Sequence, residues 1–143
     1  MHNRNSEIVI VIVLLLIILW MYITTNVISQ DQEVIDRLNA DLRKILEPIQ
    51  PNIVFSLVAD SRTYTSDKRV IHLLIVDPST SKTYNYNTLL YVAIHELAHV
   101  MCPEKGHTPL FDKYHQLLVD QAFKDGLLIS GGEYDNSYPC NED

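Results

Sequence analysis

Two histidines and a glutamate stand close together in the segment from Ile94 to His107, which reads IHELAHVMCPEKGH. On a helix, residues four positions apart project from the same face, so His95 and His99 can direct ring nitrogens at one zinc ion. Glu96 lies one position further along, where its carboxylate reaches a water on the metal rather than the metal itself. This spacing predicts two zinc ligands and a general base, a combination suited to hydrolysing amide bonds.

A catalytic zinc site needs a third protein ligand and leaves the fourth position to water. We predict that His107 is this ligand, because it comes just after the motif helix, where Pro103 and Gly106 allow the chain to turn back. An acidic third ligand would indicate a different class of zinc protease. The alternatives for this position are Glu104, Asp112 and His115.

The other histidines and the tyrosines have less support as functional residues. His72 lies within an apolar run and is predicted to be a core or edge residue of a strand. His115 follows the inward-facing Tyr114 and is predicted to face solvent, and no role is assigned to His2. Packing or strand pairing explains the four candidate oxyanion-stabilising side chains at least as well as catalysis does. These candidates are Tyr64, Tyr84, Tyr86 and Tyr91.

The charge and the cysteines restrict the partners and the compartment. The 143-residue chain has a net charge of −7, and 17 of its 18 acidic residues lie in residues 30–143. An acidic domain repels phosphate backbones, and the sequence contains no basic cluster, so we expect no nucleic-acid partner. Cys102 and Cys140 would pair in an oxidising compartment and stay reduced in the cytosol, and both alternatives remain open.

An apolar run, IVIVIVLLLIILWMYI, occupies Ile8 to Ile23. As a helix it would span about 24 Å, and the following residues to Ile28 can extend it towards the bilayer core of about 30 Å. The run has no polar stripe, which argues against a buried soluble helix, and no small-residue cleavage site follows it. We therefore predict an uncleaved single-pass anchor at about residues 8–28 rather than a signal peptide.

The orientation of this anchor is only weakly encoded. Arg4 precedes the apolar run and Arg37 follows it, so the basic residues that set membrane topology are nearly balanced. We expect the N-terminus to be cytoplasmic and the following domain to be extracytoplasmic.

Hydrophobic periodicity then predicts a small α+β domain. A helix from Ser29 to Glu47, with capping-box spacing at its start, can continue almost directly from the membrane helix. Its predicted apolar stripe comprises Val34, Ile35, Leu38, Leu42, Ile45 and Leu46. Strands are predicted at 53–58 and 70–76, separated by the polar stretch 61–69, and a short edge strand is predicted at 82–87.

Two further helices are predicted. The motif helix is capped by Asn87 or Thr88 and ends near Val100. The last helix has Thr108 as its cap, Pro109 at its first position and Gly126 beyond its end, followed by a polar, loop-like tail from Gly131. Its predicted inner face comprises Leu110, Tyr114, Leu117, Leu118 and Ala122.

The stretch HELAHVMCPEKGHTPLFDKYHQLL, His95 to Leu118, resembles the minimal zinc metallopeptidases of the WLM and SprT-like type. Over about 25 residues, the resemblance implies zinc ligation by His95, His99 and His107, a general base at Glu96 and a packing aromatic at Phe111. It implies a zincin-like metallopeptidase domain at residues 30–143, with a helix, a two- or three-stranded sheet, the motif helix and a final helix. Residues 1–29 would form the segment with the transmembrane anchor.

The gap between His99 and His107 is longer than in many WLM members. It looks more like the spacing in uncharacterised metallopeptidase-like proteins of large DNA viruses. Several relatives of the WLM and SprT-like type act on proteins crosslinked to DNA. The acidic domain and the membrane anchor do not suit that role.

The sequence thus predicts a membrane-anchored zinc peptidase with a peptide or protein substrate, in a host or virion membrane if the protein is viral. One alternative is a zinc-stabilised structural or binding membrane protein without turnover. Another is an adaptor in which the motif is accidental and no metal binds. Glu96 favours the peptidase, because a purely structural zinc site has no use for a base.

Overall fold

The computed structural model describes residues 4–139. The chain divides into two compact units, residues 1–33 and 34–143. His2 and Cys140 lie outside the described residues, so the two alternatives for Cys140 and the buried Cys102, paired or reduced, stay open. The elements are, in order, α1 (Arg4–Leu46), β1 (Ser56–Ala59), β2 (Tyr64–Ser66), β3 (Val70–Leu73), α2 (Tyr86–Met101) and α3 (Pro109–Lys124).

The first unit is the apolar part of α1. Its large apolar side chains from Ile8 to Ile23 are each 47–67% exposed, and none of its most apolar stretch is buried. Within residues 4–139, this one helix is long and apolar enough to cross a membrane, a test that a signal sequence or a soluble core helix also passes. The hydroxyls of Thr24 and Thr25 donate to backbone carbonyls of the preceding turn, so they remain satisfied without water.

The helix predicted to begin at Ser29 has no start there, because α1 continues through that position without a break. No proline or glycine occurs between Arg4 and Leu46, so nothing in the local sequence ends the helix. The predicted apolar stripe in its C-terminal part is confirmed. Its fully buried members are Leu38, Leu42 and Ile45.

The sheet of the second unit has three strands in the order β1-β3-β2. β1 pairs parallel to β3, and β2 pairs antiparallel to β3. The edge strand predicted at 82–87 was wrong, since this stretch makes only an isolated bridge between Val76 and Thr83 and then enters α2.

β2 lies instead inside the stretch that was predicted to be a polar connection. Asp67 and Lys68 both have a φ of +50°, and Arg69 N–H donates to the Ser66 carbonyl at 3.0 Å. Ser66 pairs with Val70, so the hairpin connection has three residues, 67–69, and its two left-handed residues match the twist of the flanking strands. The turn residues are not the usual Asn-Gly or Asp-Gly pair, so the hairpin carried little signal in the sequence.

Helix α2 begins earlier than predicted because Asn85 caps it, accepting a hydrogen bond from Asn87 N–H at 2.8 Å. The two residues predicted as caps are buried and bind the chain beyond α3. The Asn87 side chain accepts from Ile129 N–H at 3.3 Å, and the Thr88 hydroxyl accepts from Asp135 N–H at 2.7 Å. These polar side chains, which are typical of helix caps, therefore form tertiary hydrogen bonds instead.

Helix α3 has the predicted ends, with Thr108 as its cap, Pro109 in its first turn and Gly126 at a φ of +68° beyond it. Its inner face was predicted only in part. Leu118 is buried as expected, whereas Leu117 is 45% exposed. The buried face also includes Phe111 and Val119.

The C-terminal tail has no regular helix or strand over its described residues, as predicted, but it packs against the domain. Tyr138 is buried, with its ring 4.6 Å from that of Tyr84 and its hydroxyl donating to the Leu74 carbonyl at 3.0 Å. Burial raises the pKa of Tyr138 to about 12. The tail is therefore part of the core that holds the sheet and α2 together.

Candidate metal centre

Three histidines of the motif lie close together in the structure. His95 and His99 lie on one face of α2, and His107 lies on the loop between α2 and α3. Their potential ligand nitrogens are all within 4.8 Å of one another, and Nε2 of His95 is 3.0 Å from Nε2 of His107. Two nitrogens bound tetrahedrally to one zinc ion lie about 3.4 Å apart, so this donor set fits a single metal ion.

The electrostatics of this group favour the form of histidine that binds metal. Burial is the main cause that lowers the pKa of His95 to about 3, and the neighbouring histidines lower it further. His95 is therefore a neutral imidazole at physiological pH, with a lone pair available for a cation.

Glu96 is buried beside the histidines, with 7% of its surface exposed. The Thr65 hydroxyl, on β2, donates to Glu96 Oε2 at 2.7 Å and also lies 3.1 Å from the Glu96 backbone carbonyl oxygen. A buried carboxylate needs such a partner, because desolvation without one is costly. Strand β2 therefore orients the carboxylate that the motif spacing assigns as the base.

Phe111 lies under all three imidazoles. It is 2% exposed, and its ring centroid is 5.0 Å from that of His95, 4.3 Å from that of His99 and 4.7 Å from that of His107. The first turn of α3 therefore supplies an apolar floor that limits how far each ring can move. This position agrees with the packing role that the resemblance implies for Phe111.

The loop between α2 and α3 brings His107 back towards the helix. Gly106 has a φ of +74°, a conformation that side-chain-bearing residues rarely adopt. The Thr108 hydroxyl accepts from Phe111 N–H at 3.3 Å and donates to the Glu104 carboxylate. Glu104, one alternative third ligand, is thus engaged at the start of α3.

The other two alternatives also lie outside the three-histidine group. Asp112 is exposed on α3. The ring of His115 is 5.3 Å from that of His95, but His115 has no ligand atom within the group. The structure thus brings together the three histidines predicted as ligands.

The prediction that His115 faces solvent was wrong. His115 is half-buried between Tyr91 and Phe111, at ring distances of 5.5 and 5.9 Å. Its Nε2 is buried without a hydrogen-bond partner among the described residues, and burial lowers its pKa. Its spacing of four from Phe111, which places both on one helical face, was the signal that would have located it.

The remaining candidates have structural positions. His72 lies within a strand, as predicted, and is partly buried on the central strand β3, with Nδ1 2.9 Å from Asp60 Oδ2, Nε2 3.1 Å from Ser66 Oγ and its ring stacked on Tyr64. The backbone N–H of Ser61 and the His72 side chain lower the pKa of Asp60. Side chains alternate along β2, so this network lies on the face of the sheet opposite Thr65 and fastens β2 to β3.

Two of the other tyrosines are committed to packing. Tyr84 is buried against the tail, and Tyr86 donates to Asp41 at 2.6 Å. Burial, reinforced by the Asp41 carboxylate, raises the pKa of Tyr86. Tyr91 lies beside His115 and is 39% exposed. Of the four tyrosines considered as oxyanion-stabilising residues, it is therefore the one that is exposed near the histidine group.

An open cleft of about 410 Å³ adjoins His99. Its walls come from the hairpin turn on one side and from the loop between α2 and α3 on the other. It is large enough to receive a short segment of extended chain. Its lining residues are Thr65, Asp67, Lys68, His99, Glu104, Lys105 and Gly106.

Comparison with known proteins finds relatives among large DNA viruses. The chain is 39% identical over 97 residues to an uncharacterised protein of Invertebrate iridescent virus 3, a match that covers 66% of this chain and 57% of the relative. It is 38% identical over 80 residues to an uncharacterised protein of Invertebrate iridescent virus 6, covering 54% of this chain and 42% of that relative. A third, from Acanthamoeba polyphaga mimivirus, is 41% identical over 58 residues, covering 40% of this chain and 29% of the relative.

The chain therefore spans about half the length, or less, of the viral proteins it matches. No protein-family model matches the sequence, and no solved structure matches it. The similarity to proteins of large DNA viruses agrees with the prediction from the spacing of the histidines.

Proposed function

We propose that the chain is a membrane-anchored zinc peptidase of the WLM or SprT-like type, with a zincin-like catalytic domain. The observation that carries this proposal is the convergence of three imidazoles beside a buried glutamate that is held by a hydrogen bond. A metal site built for structure alone gains nothing from a buried carboxylate next to it. A hydrolytic site needs that carboxylate as a base.

His95, His99 and His107 would hold the zinc ion, which supplies Lewis acidity and an activated water when bound. Glu96 accepts a proton from the attacking water and passes it to the leaving amine. Thr65 holds the Glu96 carboxylate in one orientation, because its hydroxyl donates to one of the two carboxylate oxygens and leaves the other to accept the proton. Phe111 restricts the imidazoles and excludes water from their lower side.

The substrate is a peptide or protein that enters the open cleft beside His99 in an extended conformation. The apolar part of α1 would hold the enzyme in a host or virion membrane as a single-pass anchor, with the domain on the extracytoplasmic side. The net charge of −7 makes a nucleic-acid substrate unfavourable.

A zinc-stabilised structural or binding membrane protein without turnover is the second candidate, and the position of His115 favours it. The His115 ring is 5.3 Å from that of His95, so a small rotation of α3 would bring a fourth imidazole towards the metal. A fourth protein ligand closes the position that a catalytic site leaves to water.

Glu96→Gln separates the two candidates, because glutamine keeps the size of the side chain but cannot accept a proton. We expect the full-length chain in detergent to bind one zinc ion and to cleave members of a peptide library. The variant should retain the zinc and lose about 10²- to 10⁴-fold in turnover. Zinc content by mass spectrometry and cleavage by peptide profiling measure the two effects.

Glu133→Gln is the matched control, because Glu133 is an exposed carboxylate in the tail. It should change neither property. A folded wild-type chain that binds no zinc would refute the proposal, and so would full turnover by the Glu96 variant. Zinc binding without cleavage, unchanged in the Glu96 variant, would favour the structural candidate.

A further inference from the structure

Lys68 makes contacts that the motif does not explain. It is the second residue of the turn between β2 and β3, and both it and Asp67 have a φ of +50°. The side chain of Lys68 extends from this turn to the C-terminal end of α2. Its stem is partly buried along the cleft beside His99.

The ammonium group of Lys68 binds three backbone carbonyls at the end of α2 and in the loop just beyond it. Its Nζ donates to the His99 carbonyl at 3.3 Å, to the Glu104 carbonyl at 2.7 Å and to the Cys102 carbonyl. The last carbonyls of a helix have no partner within the helix and carry partial negative charge, so a cation with three donors is well matched to them.

These three carbonyls bracket the segment that separates the helical ligands from the loop ligand. His99 is itself a candidate ligand, and Glu104 stands three residues before His107. Pro103, Glu104 and Lys105 are exposed, and the segment is neither helix nor strand. Burial therefore contributes little to fixing the conformation of this segment, and the hydrogen bonds from the Lys68 ammonium group have a correspondingly large effect on it.

We propose that Lys68 is a positioning residue of the metal centre, which fixes the backbone from His99 to Glu104 and thereby sets the distance from the α2 ligands to His107. This inference rests on the proposed zinc site. The sheet then contributes to the centre twice, through Thr65 on the carboxylate of Glu96 and through Lys68 on the ligand loop.

The test compares Lys68→Met and Lys68→Arg with the wild-type full-length chain in detergent. Methionine keeps an unbranched stem and removes the charge and the donors, whereas arginine keeps both. Lys113→Met, which changes an exposed lysine on α3, is the matched control. Hydrogen exchange of the metal-free proteins reports on the backbone, and titration with Co²⁺, followed by its visible absorption, reports on the ligand geometry.

We expect amides of residues 102–107 to exchange about tenfold faster in Lys68→Met, with unchanged exchange in β3. Co²⁺ affinity should fall about 10- to 100-fold, as for other outer contacts of metal ligands, with a weaker tetrahedral absorption band. Lys68→Arg should restore much of both properties, and Lys113→Met should match the wild type.

Unchanged exchange in residues 102–107 would overturn the inference. So would faster exchange with wild-type Co²⁺ affinity and spectrum, because Lys68 would then be a helix cap without influence on the ligands. A folded wild-type chain that binds no Co²⁺ would refute the proposed function instead, and the exchange measurement would still decide whether Lys68 fixes this segment.

Discussion

The two ligands on α2 and the ligand on the following loop are held by different means. His95 and His99 are half-buried on a helix whose other face is packed into the core, so the helical backbone itself sets their relative position. His107 is exposed on a segment without regular structure. Its position depends on the conformation of Gly106, the cap at Thr108 and the ring of Phe111.

This difference shows that one part of a metal centre can be fixed by a single helix while another part depends on the packing of several elements. The helical pair is complete as soon as α2 forms. The third ligand arrives only when the hairpin, the loop and α3 have taken their places. Changes in the loop should therefore affect metal binding more than folding, and changes in the core should do the reverse.

Removal of the ligands is the strongest test of this contrast. His99→Ala and His107→Ala should each weaken Zn²⁺ or Co²⁺ binding by more than about 100-fold, because a ligand contributes more than an outer contact does. His99→Ala should also lower the stability of the metal-free protein, by about 1 kcal/mol, and His107→Ala should lower it less, because both rings contact Phe111 but His99 is half-buried on α2 whereas His107 is exposed. Metal titration and thermal unfolding of the metal-free chain measure both effects.

Equal loss of metal-free stability in the two variants would break the distinction between helical and loop ligands. Ser130→Ala, at an exposed position beyond α3, is the control and should leave both measurements unchanged.

Tyr138→Phe tests the opposite case, a core change remote from the loop. The hydroxyl of Tyr138 donates to Leu74 and contacts Thr63, so its removal should cost about 1–2 kcal/mol at pH 7, measured by denaturant unfolding. Co²⁺ affinity of the folded variant should stay unchanged. A large loss of affinity would show that the tail positions the ligands directly.

The pH dependence of Tyr138 has a defined sign. The folded pKa of about 12 exceeds the ordinary pKa of tyrosine, about 10, so the unfolded chain loses this proton first. The contribution of Tyr138 to stability is therefore complete below pH 10 and is lost as the pH rises from 10 to 12. Wild-type protein should lose more stability than Tyr138→Phe across this range, and parallel profiles would contradict the assignment.

Gly106→Ala should have a small effect on folding. A Cβ at Gly106 would meet no atom within 4 Å, so the cost is the backbone strain at a φ of +74°, about 1 kcal/mol. Gly126→Ala is a matched control, with a φ of +68° and similar open space beyond α3. Both should lose similar stability by thermal unfolding, and Gly106→Ala alone should also weaken Co²⁺ binding. Equal Co²⁺ affinities would contradict the importance of the loop conformation.

Much of the fold was predictable wherever local chemistry determines it. The continuous apolar run, the stripe in α1 and the ends of α3 follow from hydrophobic periodicity and capping residues, and the structure has them. β2 was missed because a three-residue strand at Tyr64–Ser66 has too short an alternation to register. The start of α2 was misplaced because Asn87 and Thr88 have the side chains of caps but bind the chain beyond α3.

The sequence by itself determined the helical pair His95 and His99 and the adjacent Glu96, because on a helix the spacing of residues fixes the directions of their side chains. It also made His107 a candidate ligand, because His107 follows the helix at a point where Pro103 and Gly106 allow the chain to turn back. Tertiary structure alone decided that Thr65 orients Glu96, that Lys68 reaches the end of α2 and that His115 lies beside His95. Each of these contacts joins residues that are 20 to 36 positions apart. Such pairs meet only when the whole core is packed, and no local pattern encodes them.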